Sequence, residues 1–431
     1  METILQTLKK IIPQWFTVVL RPAYHYVLSL ASALTYFFPS RKIFVLGVTG
    51  TKGKTSVVEI INAILEEAGY STAISSSLRF KVGNESWLNE KKMTMPGRFF
   101  LQKLLRSAVK EKCDYAILEM TSEGIAQYRH KFINLNALIF TNLAPEHIES
   151  HGSFEKYREA KLKLFKSLES SPKKPRTIIV NKDDENAEYF LNFRVEEKIT
   201  YGKDDVSSVE INRDGINFAL ENISIRAKLS GEFNLYNILG AIAFARSRSV
   251  PVNKIKLAVE KFQGIAGRLE RVELPQNDQS RVSQDFTIIV DYAHTPDSLE
   301  KVYQVFQNSR EICVLGSCGG GRDKWKRPKL GSIAGKYCDE IILTNEDPYD
   351  ENPREIIMNV ASGIPEDKEY AVIEDRREAI HRAISLAKTG DTIIITGKGS
   401  EPWMMLADGK KIPWSDRDFA KEELKNVLSN R

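Results

Sequence analysis

The sequence predicts an α/β protein of two consecutive parallel-sheet domains behind a short helical N-terminal segment. Three observations carry that expectation. Short runs rich in Val and Ile recur along the chain, and most are continuous rather than alternating, as strands covered by helices on both faces require. Segments with apolar residues at helical spacing follow them. A glycine-rich loop joins the first run to its helix. The 431 residues, at ~100–200 per domain, make room for two to four cores.

Composition narrows the class. With 42% hydrophobic and 28% charged residues, 25 Gly and 16 Pro, collagen-like, low-complexity and disordered chains are excluded. The net charge of +5 is spread along the chain and gives no reason to expect nucleic acid as a partner. The four cysteines, Cys113, Cys313, Cys318 and Cys338, contain no CxxC pair. Neither a zinc ribbon nor a disulfide framework is therefore expected, and a reducing, cytoplasmic setting fits.

Residues 1–42 differ from the rest. An apolar, aromatic stretch of sixteen residues runs from Ala23 to Phe38 between Arg21-Pro22 and Pro39-Ser40-Arg41-Lys42. That is short of the ~20 a membrane span needs, and no clear cleavage site marks a secretory signal. One or two helices docked on the body of the protein or on a second subunit are expected. Lys9, Lys10, Arg21, Arg41 and Lys42 beside apolar residues also suit a helix at a membrane surface.

From Lys42 the order is strand, loop, helix: IFVLGVTG, then TSVVEIINAILEEAGY. Strand-like runs follow at 115–120, 137–143, 177–181, 286–293, 311–317, 340–346 and 391–397. VEINRDGINFAL and ISIRAKL, within 209–229, read as antiparallel strands edging the first domain. The polar stretch ELPQNDQSRVSQD separates the two domains, which gives segments of 1–42, 43–270 and 271–431.

GVTGTKGKTS (47–56) sits between strand and helix, the setting of a phosphate-binding loop. Backbone amides of Gly50, Thr51, Lys52, Gly53 and Ser56 face an anion at the helix N-terminus, Lys54 reaches the terminal phosphates, and the Thr55 hydroxyl suits Mg²⁺. The strict GxxxxGK[ST] spacing fails by one position, because Val48 stands where the first Gly would be. ATP binding is the leading chemical expectation all the same. Glu119, at the end of an apolar strand on the same side, is a hard oxygen ligand that fits Mg²⁺.

The motifs taken in order resemble the Mur ligase family, the ATP-dependent amide-forming enzymes of peptidoglycan synthesis, and within it the UDP-N-acetylmuramoyl-tripeptide synthetase branch. The resemblance covers residues 43–417. It runs through GVTGTKGKTS, TMPG (94–97), LEMTSEGIAQYR (118–129), FTNLAPEHIESHGSFEKYREAKLKLF (140–165), VNKDD (180–184), GEFNLYNILGAIA (231–243), GRLERV (267–272), DYAHTPDSLE (291–300), GSCGGGRDKWKRPKLG (316–331), DRREAI (375–380) and GKGSE (397–401). It implies a central P-loop ATPase-type sheet domain followed by a Rossmann-like C-terminal ligase domain.

The resemblance also implies residue roles. His147 would be a ligand for a second Mg²⁺, and Lys161 falls where the family carries a carbamylated lysine, an anionic metal ligand. Asn234, Asn237, Asp291 and His294 would hold the nucleotide from two domains. Arg268, Arg322 and Lys326 could neutralise the transferring phosphoryl group. Thr94, Pro96, Ser122, Gln127 and Arg129 match positions for the muramoyl-peptide acceptor, and Asp347, Pro348, Tyr349, Gly397 and Glu401 align with the amino-acid end.

Three departures stand out. The 42 residues before the first strand are far fewer than the family's uridine-gripping domain, so uridine recognition is not implied. The Asp-Asn-Pro-Arg tetrad of diaminopimelate-adding members aligns with Glu346-Asp347-Pro348-Tyr349, which lacks the bidentate arginine, and Ser400 replaces a usual His, so diaminopimelate is not assigned. Glu123, Glu146 and Gly321 replace the usual His, Asp and Asp.

The expected reaction follows from making an amide in water. ATP phosphorylates a carboxylate, and an amine then displaces phosphate from the acyl phosphate. The leading expectation is a cytoplasmic ligase joining a free amino acid to a muramoyl-peptide-like acceptor, UDP-linked or not, with peripheral membrane or protein contact through residues 1–42. Alternatives are a folylpolyglutamate or cyanophycin-type ligase, or an inactive nucleotide-binding scaffold.

Overall fold

The computed structural model describes residues 14–91, 93–145, 152–274, 284–321 and 324–429, with side chains from Arg21 onward. The chain divides into two compact units. The first comprises Met1–Val209, Asn217–Arg226 and Glu232–Phe262, and the second comprises Glu210–Ile216, Ala227–Gly231 and Gln263–Arg431.

The first unit opens with α1 (Gln14–Thr35), β1 (Phe44–Thr49), α2 (Lys54–Glu67), β2 (Thr72–Ser75), β3 (Arg79–Val82), β4 (Glu85–Leu88) and α3 (Arg98–Lys110). It continues through β5 (Tyr115–Glu119), α4 (Ser122–Ala126), β6 (Ala137–Phe140), α5 (Phe154–Glu169), β7 (Thr177–Asn181), α6 (Ala187–Leu191) and β8 (Glu197–Tyr201). The strands form one eight-stranded sheet of order β4-β3-β2-β5-β1-β6-β7-β8. Pairing is parallel from β2 to β8, and β3 and β4 add an antiparallel edge. Strands β5, β6 and β7 are buried along their whole length, which explains why they read as unbroken apolar runs.

The position of β1 locates the site. Its neighbours are β5 and β6, so the chain passes from one side of β1 to the other between them. In open α/β sheets, ligands bind where the strand order switches, beyond the C-terminal strand ends.

Residues 207–227 carry β9 (Ser207–Asn212), β10 (Gly215–Leu220) and β11 (Ile223–Ala227) as a three-stranded sheet of their own, order β11-β10-β9. They are strands, as the sequence reading expects, and they pair with one another rather than with the eight-stranded sheet. That sheet ends at β4 and β8, both missed as strands in the sequence. The exposed β4 and the alternately exposed β8 lack the long apolar run of a covered strand. Helices α7 (Glu232–Ser247) and α8 (Val252–Lys261) complete the unit.

Helix α1 packs on the body: Ser29 Oγ donates to the Tyr128 carbonyl at 2.9 Å, while Tyr24, Tyr26, Val27, Leu34 and Phe37 are exposed. No helix among the described residues is long and apolar enough to cross a membrane.

The second unit holds β12 (Glu270–Arg271), β13 (Thr287–Asp291), α9 (Pro296–Phe306), β14 (Glu311–Leu315), α10 (Lys326–Tyr337), β15 (Glu340–Leu343) and α11 (Pro353–Ala361). It ends with β16 (Ala371–Val372), α12 (Arg376–Leu386), β17 (Thr392–Thr396), the β18 (Trp403–Met405) and β19 (Lys411–Pro413) hairpin, and α13 (Asp416–Ser429). Six strands form a sheet of order β12-β13-β17-β14-β15-β16, parallel except for β12. Apolar clusters cover both faces, one under α12 and α13 and the other under α9, α10 and α11.

Cys313 on β14 and Cys338 at the end of α10 are joined in a disulfide, where the sequence reading expects none. The pair is 25 residues apart, across a whole helical crossover, so no short spacing announces it. Cys113 and Cys318 are buried and not joined in a disulfide.

Candidate active site

The loop between β1 and α2 is shaped by two glycines in the left-handed region, Gly50 at φ 155° and Gly53 at φ 81°. Neighbours press against both. A Cβ on Gly50 would lie 1.9 Å from Thr141 Oγ1, and one on Gly53 would lie 2.2 Å from Asn237 Oδ1. Only glycine fits either position.

The loop is braced from β6 and its extension. Thr51 N donates to the Asn142 carbonyl at 2.8 Å, Lys52 N to Asn142 Oδ1 at 2.9 Å, and Thr141 Oγ1 to the Lys52 carbonyl at 2.7 Å. Lys54, the first residue of α2, folds back so that its Nζ donates to the carbonyls of Thr51 at 2.9 Å and Gly50 at 3.2 Å. The start of α2 has no side-chain cap at Gly53, so its amide end is suited to an anion. Ser56 is buried one residue beyond Thr55.

Glu119 ends β5 beside β1, paired in register with Val48. Its carboxylate is 3% exposed and meets neutral donors: Thr55 Oγ1 at 3.1 Å, Ser77 N at 2.8 Å and Ser77 Oγ at 3.1 Å. A buried anionic oxygen beside a hydroxyl at a phosphate loop is a donor set that fits a hard divalent cation. Lys161, on α5, is 1% exposed and lies against the other side of the loop, its Nζ donating to the Gly50 carbonyl at 2.7 Å and standing over the Tyr157 ring. Tyr157 in turn shares a 3.1 Å hydrogen bond with Thr51 Oγ1. Asn234 and Asn237 approach from α7, joined to each other at 3.0 Å.

The positions expected for the acceptor lie beyond β5. Thr94 Oγ1 is 2.8 Å from Ser77 Oγ, which ties it to Glu119 through one residue. Pro96 is buried just before α3, and Ser122 is buried at the start of α4. Gln127 Oε1 accepts from Arg129 Nη2 at 2.8 Å, and Arg129 also donates to the Met95 carbonyl.

In the second unit, Asp291 closes β13 and accepts from Leu269 N and Ala293 N, both at 2.7 Å. His294 Nδ1 is 2.8 Å from the Tyr292 carbonyl, and the Arg268 guanidinium stacks over the Tyr292 ring. Lys326 is buried at the start of α10.

Asp347, Gly397 and Glu401 gather around a residue the sequence reading did not single out, Lys398. Its fully buried Nζ donates to Asp347 Oδ1 at 2.8 Å, Glu401 Oε2 at 2.7 Å and the Trp403 carbonyl at 2.7 Å. Burial pushes the neighbouring Glu346 up to about 7, against the opposing charges of Arg376, Lys398 and Lys326. Gly397, at φ 108°, leaves room for that carboxyl, since a Cβ there would lie 2.3 Å from Glu346 Oε2. Pro348 packs its carbonyl against Gly319, and Tyr349 takes a left-handed φ of 51° beside Gly320.

His147 and Arg322 lie outside the described residues. Within the first unit the structure gathers Gly50 to Ser56, Glu119, Lys161, Asn234 and Asn237 at one loop, with Thr94 one hydrogen bond further out. Sequence reasoning missed Ser77, Asn142 and Tyr157, whose roles depend on folding, and Lys398, which stands inside the quoted GKGSE run.

Comparison with known proteins adds to this geometry. Residues 48–245 match the Mur ligase middle domain and residues 267–399 match the Mur ligase, glutamate ligase domain. A UDP-N-acetylmuramoyl-L-alanyl-D-glutamate–2,6-diaminopimelate ligase of Syntrophomonas wolfei is 38% identical over 426 residues, covering 96% of this chain and 84% of the relative. A UDP-N-acetylmuramyl-tripeptide synthetase of a Roseiflexus species is 33% identical over 420 residues, covering 91% and 81%. Among solved structures, a UDP-N-acetylmuramoyl-L-alanyl-D-glutamate–2,6-diaminopimelate ligase superposes with a TM-score of 0.63 at 24% identity, over 94% of this chain and 83% of that one. A folylpolyglutamate synthase of Mycobacterium tuberculosis, complexed with ADP and AMPPCP, superposes at 0.64 with 15% identity, over 86% and 92%. The last two are likenesses of fold.

Proposed function

This chain belongs to the Mur ligase family, and on that premise we propose that it is a cytoplasmic ligase of peptidoglycan synthesis that joins an amino acid to a muramoyl-peptide carboxylate, converting ATP to ADP and phosphate. The observation that carries the proposal is the set of side chains around one phosphate loop: Lys54 and Thr55 at the start of α2, Glu119 from β5 and Lys161 from α5.

The loop amides and the open N-terminus of α2 hold the triphosphate. Lys54 exchanges its carbonyl partners for the terminal phosphates and offsets charge as the acceptor carboxylate oxygen attacks the γ-phosphorus, with ADP leaving. The amine then attacks the acyl carbon and phosphate leaves. Thr55 and Glu119, with His147 and, once carbamylated, Lys161, are the residues proposed to hold Mg²⁺, which would supply charge neutralisation between two anionic reactants. Asn234, Asn237, Asp291 and His294 are proposed for the nucleoside end, and Arg268, Arg322 and Lys326 for phosphoryl charge. Thr94, Pro96, Ser122, Gln127 and Arg129 are proposed for the acceptor, and the segment around Asp347, Pro348, Tyr349, Gly397 and Glu401 for the amino acid. The exposed apolar face of α1, flanked by Arg21, Arg41 and Lys42, supports a peripheral contact with a membrane or a protein.

The test is a screen of free amino acids against UDP-muramoyl-dipeptide and a UDP-free analogue, following phosphate release. The proposal expects release that requires acceptor and one class of amino acid together. Release indifferent to both, or none with any pair, contradicts it.

A further inference from the structure

Helix α1 turns a polar side to the protein and an apolar side to solvent. Ser29 and Ser32 are fully buried, the first donating to the Tyr128 carbonyl at 2.9 Å and the second to the Ser29 carbonyl at 2.8 Å. On the opposite side Tyr24, Val27 and Leu34, whose spacing of three and seven residues puts them on one face, are 58%, 61% and 56% exposed. Phe37, two residues past the helix end, is exposed as well and extends the patch. A surface helix that only covers a core shows the reverse pattern, with its apolar stripe inward. A contiguous apolar patch left outside marks an interaction surface.

Positive charge adjoins this patch. Helix α3 packs against α1 and against residues 39–42. Along α3, Lys103, Arg106 and Lys110 follow Phe99 at helical spacing, and Phe99, Lys103 and Lys110 are exposed. The Arg106 guanidinium stands over the Phe37 ring at 6.0 Å from its centroid, and the Arg41 guanidinium stands over the Phe38 ring at 4.4 Å. These contacts join the basic side of α3 to the apolar side of α1. No Asp or Glu occurs in α1, in residues 36–42 or in α3.

We propose that this face, the apolar side of α1 together with the basic side of α3, docks the protein on an anionic lipid bilayer. The inference rests on the peripheral contact proposed above and names its partner; ligation is not needed for it. Charge selects the occupant. A second copy meeting this face about a two-fold axis sets Lys and Arg against Lys and Arg, which is unfavourable. An anionic surface attracts every one of these groups. Tyr24, Val27, Leu34 and Phe37 then reach below the headgroups, while the long stems of Lys103 and Arg106 keep their charges at headgroup level.

The test is co-sedimentation of the full chain with vesicles of phosphatidylglycerol and phosphatidylcholine, and with vesicles of phosphatidylcholine alone. The wild type is expected to prefer the anionic vesicles by on the order of 10-fold or more, a preference that falls as salt rises. Replacing Lys103→Gln and Arg106→Gln together should weaken partitioning by about 5-fold for each charge removed. Replacing Val27→Gln and Leu34→Gln together should weaken it by on the order of 10-fold or more. None of the four side chains is buried, and circular dichroism checks that the fold is kept. Equal binding to both kinds of vesicle, or binding that both double variants leave unchanged, overturns the proposal. So does a wild type that stays in solution: dimers in light scattering that Val27→Gln with Leu34→Gln splits would give the face to a second copy, and retention on polyglutamate would give it to an acidic protein. Sedimentation needs no turnover, so anionic-vesicle binding by a protein that ligates nothing would leave this inference standing and remove the ligase reading.

Discussion

Thr55 and Glu119, 64 positions apart, share a 3.1 Å hydrogen bond at the mouth of the phosphate loop. One residue lies in the first turn of the helix that follows β1 and the other ends the strand beside it, so the topology brings hydroxyl and carboxylate together. Glu119→Gln keeps the size and removes the charge. Phosphate release should fall by on the order of 100-fold or more, and the Mg²⁺ concentration for half-maximal rate should rise. A titration of rate against Mg²⁺ that superposes on the wild type would rule out this role.

Gly53→Ala tests the shape of the loop. A left-handed backbone and a Cβ 2.2 Å from Asn237 Oδ1 act together. The variant should lose about 1–2 kcal/mol of stability from backbone strain alone, and nucleotide affinity should fall with it. Urea unfolding and ADP binding are the measurements; wild-type values in both would refute the geometric argument.

Lys398 stands between Asp347 and Glu401 with its charge fully buried. Lys398→Met leaves two carboxylates without their cation and should cost about 3–5 kcal/mol. Adding Asp347→Asn should recover part of that loss, because it removes one stranded charge. A double variant as unstable as the sum of its parts would show that the ion pair is not the source.

Glu311 is 1% exposed at the start of β14, and neither carboxylate oxygen has a hydrogen-bond partner. Burial, with the charge of Asp339, pushes it up to about 8 from 4.5. A folded-state value above the unfolded one means the stability it contributes is present below pH 4.5 and is lost as pH rises through 8. Glu311→Gln should therefore be more stable than the wild type at pH 8.5, by about 1–3 kcal/mol, the usual cost of an unsatisfied buried group. At pH 4.5 the two should converge. Denaturant unfolding at both values decides it, and an equal difference at each would exclude titration of Glu311.

How much of this was legible beforehand depended on range. The covered strands announced themselves as apolar runs, and GTKGKTS announced its loop, because both signals lie within a few adjacent residues. Ser77 could not be read in the same way. Its importance is a hydrogen bond to Glu119, 42 positions on, that exists only once β2 and β5 pair. The Cys313–Cys338 bond is likewise a product of tertiary pairing rather than of local pattern.

The central claim is that Lys54 handles the phosphate of ATP for ligation, and one assay tests it most directly: phosphate release in the presence of ATP, Mg²⁺, acceptor and amino acid, for the wild type and Lys54→Ala. The account predicts release that depends on acceptor and amino acid in the wild type and its loss in the variant, with circular dichroism showing both folded. Full turnover in folded Lys54→Ala would contradict it.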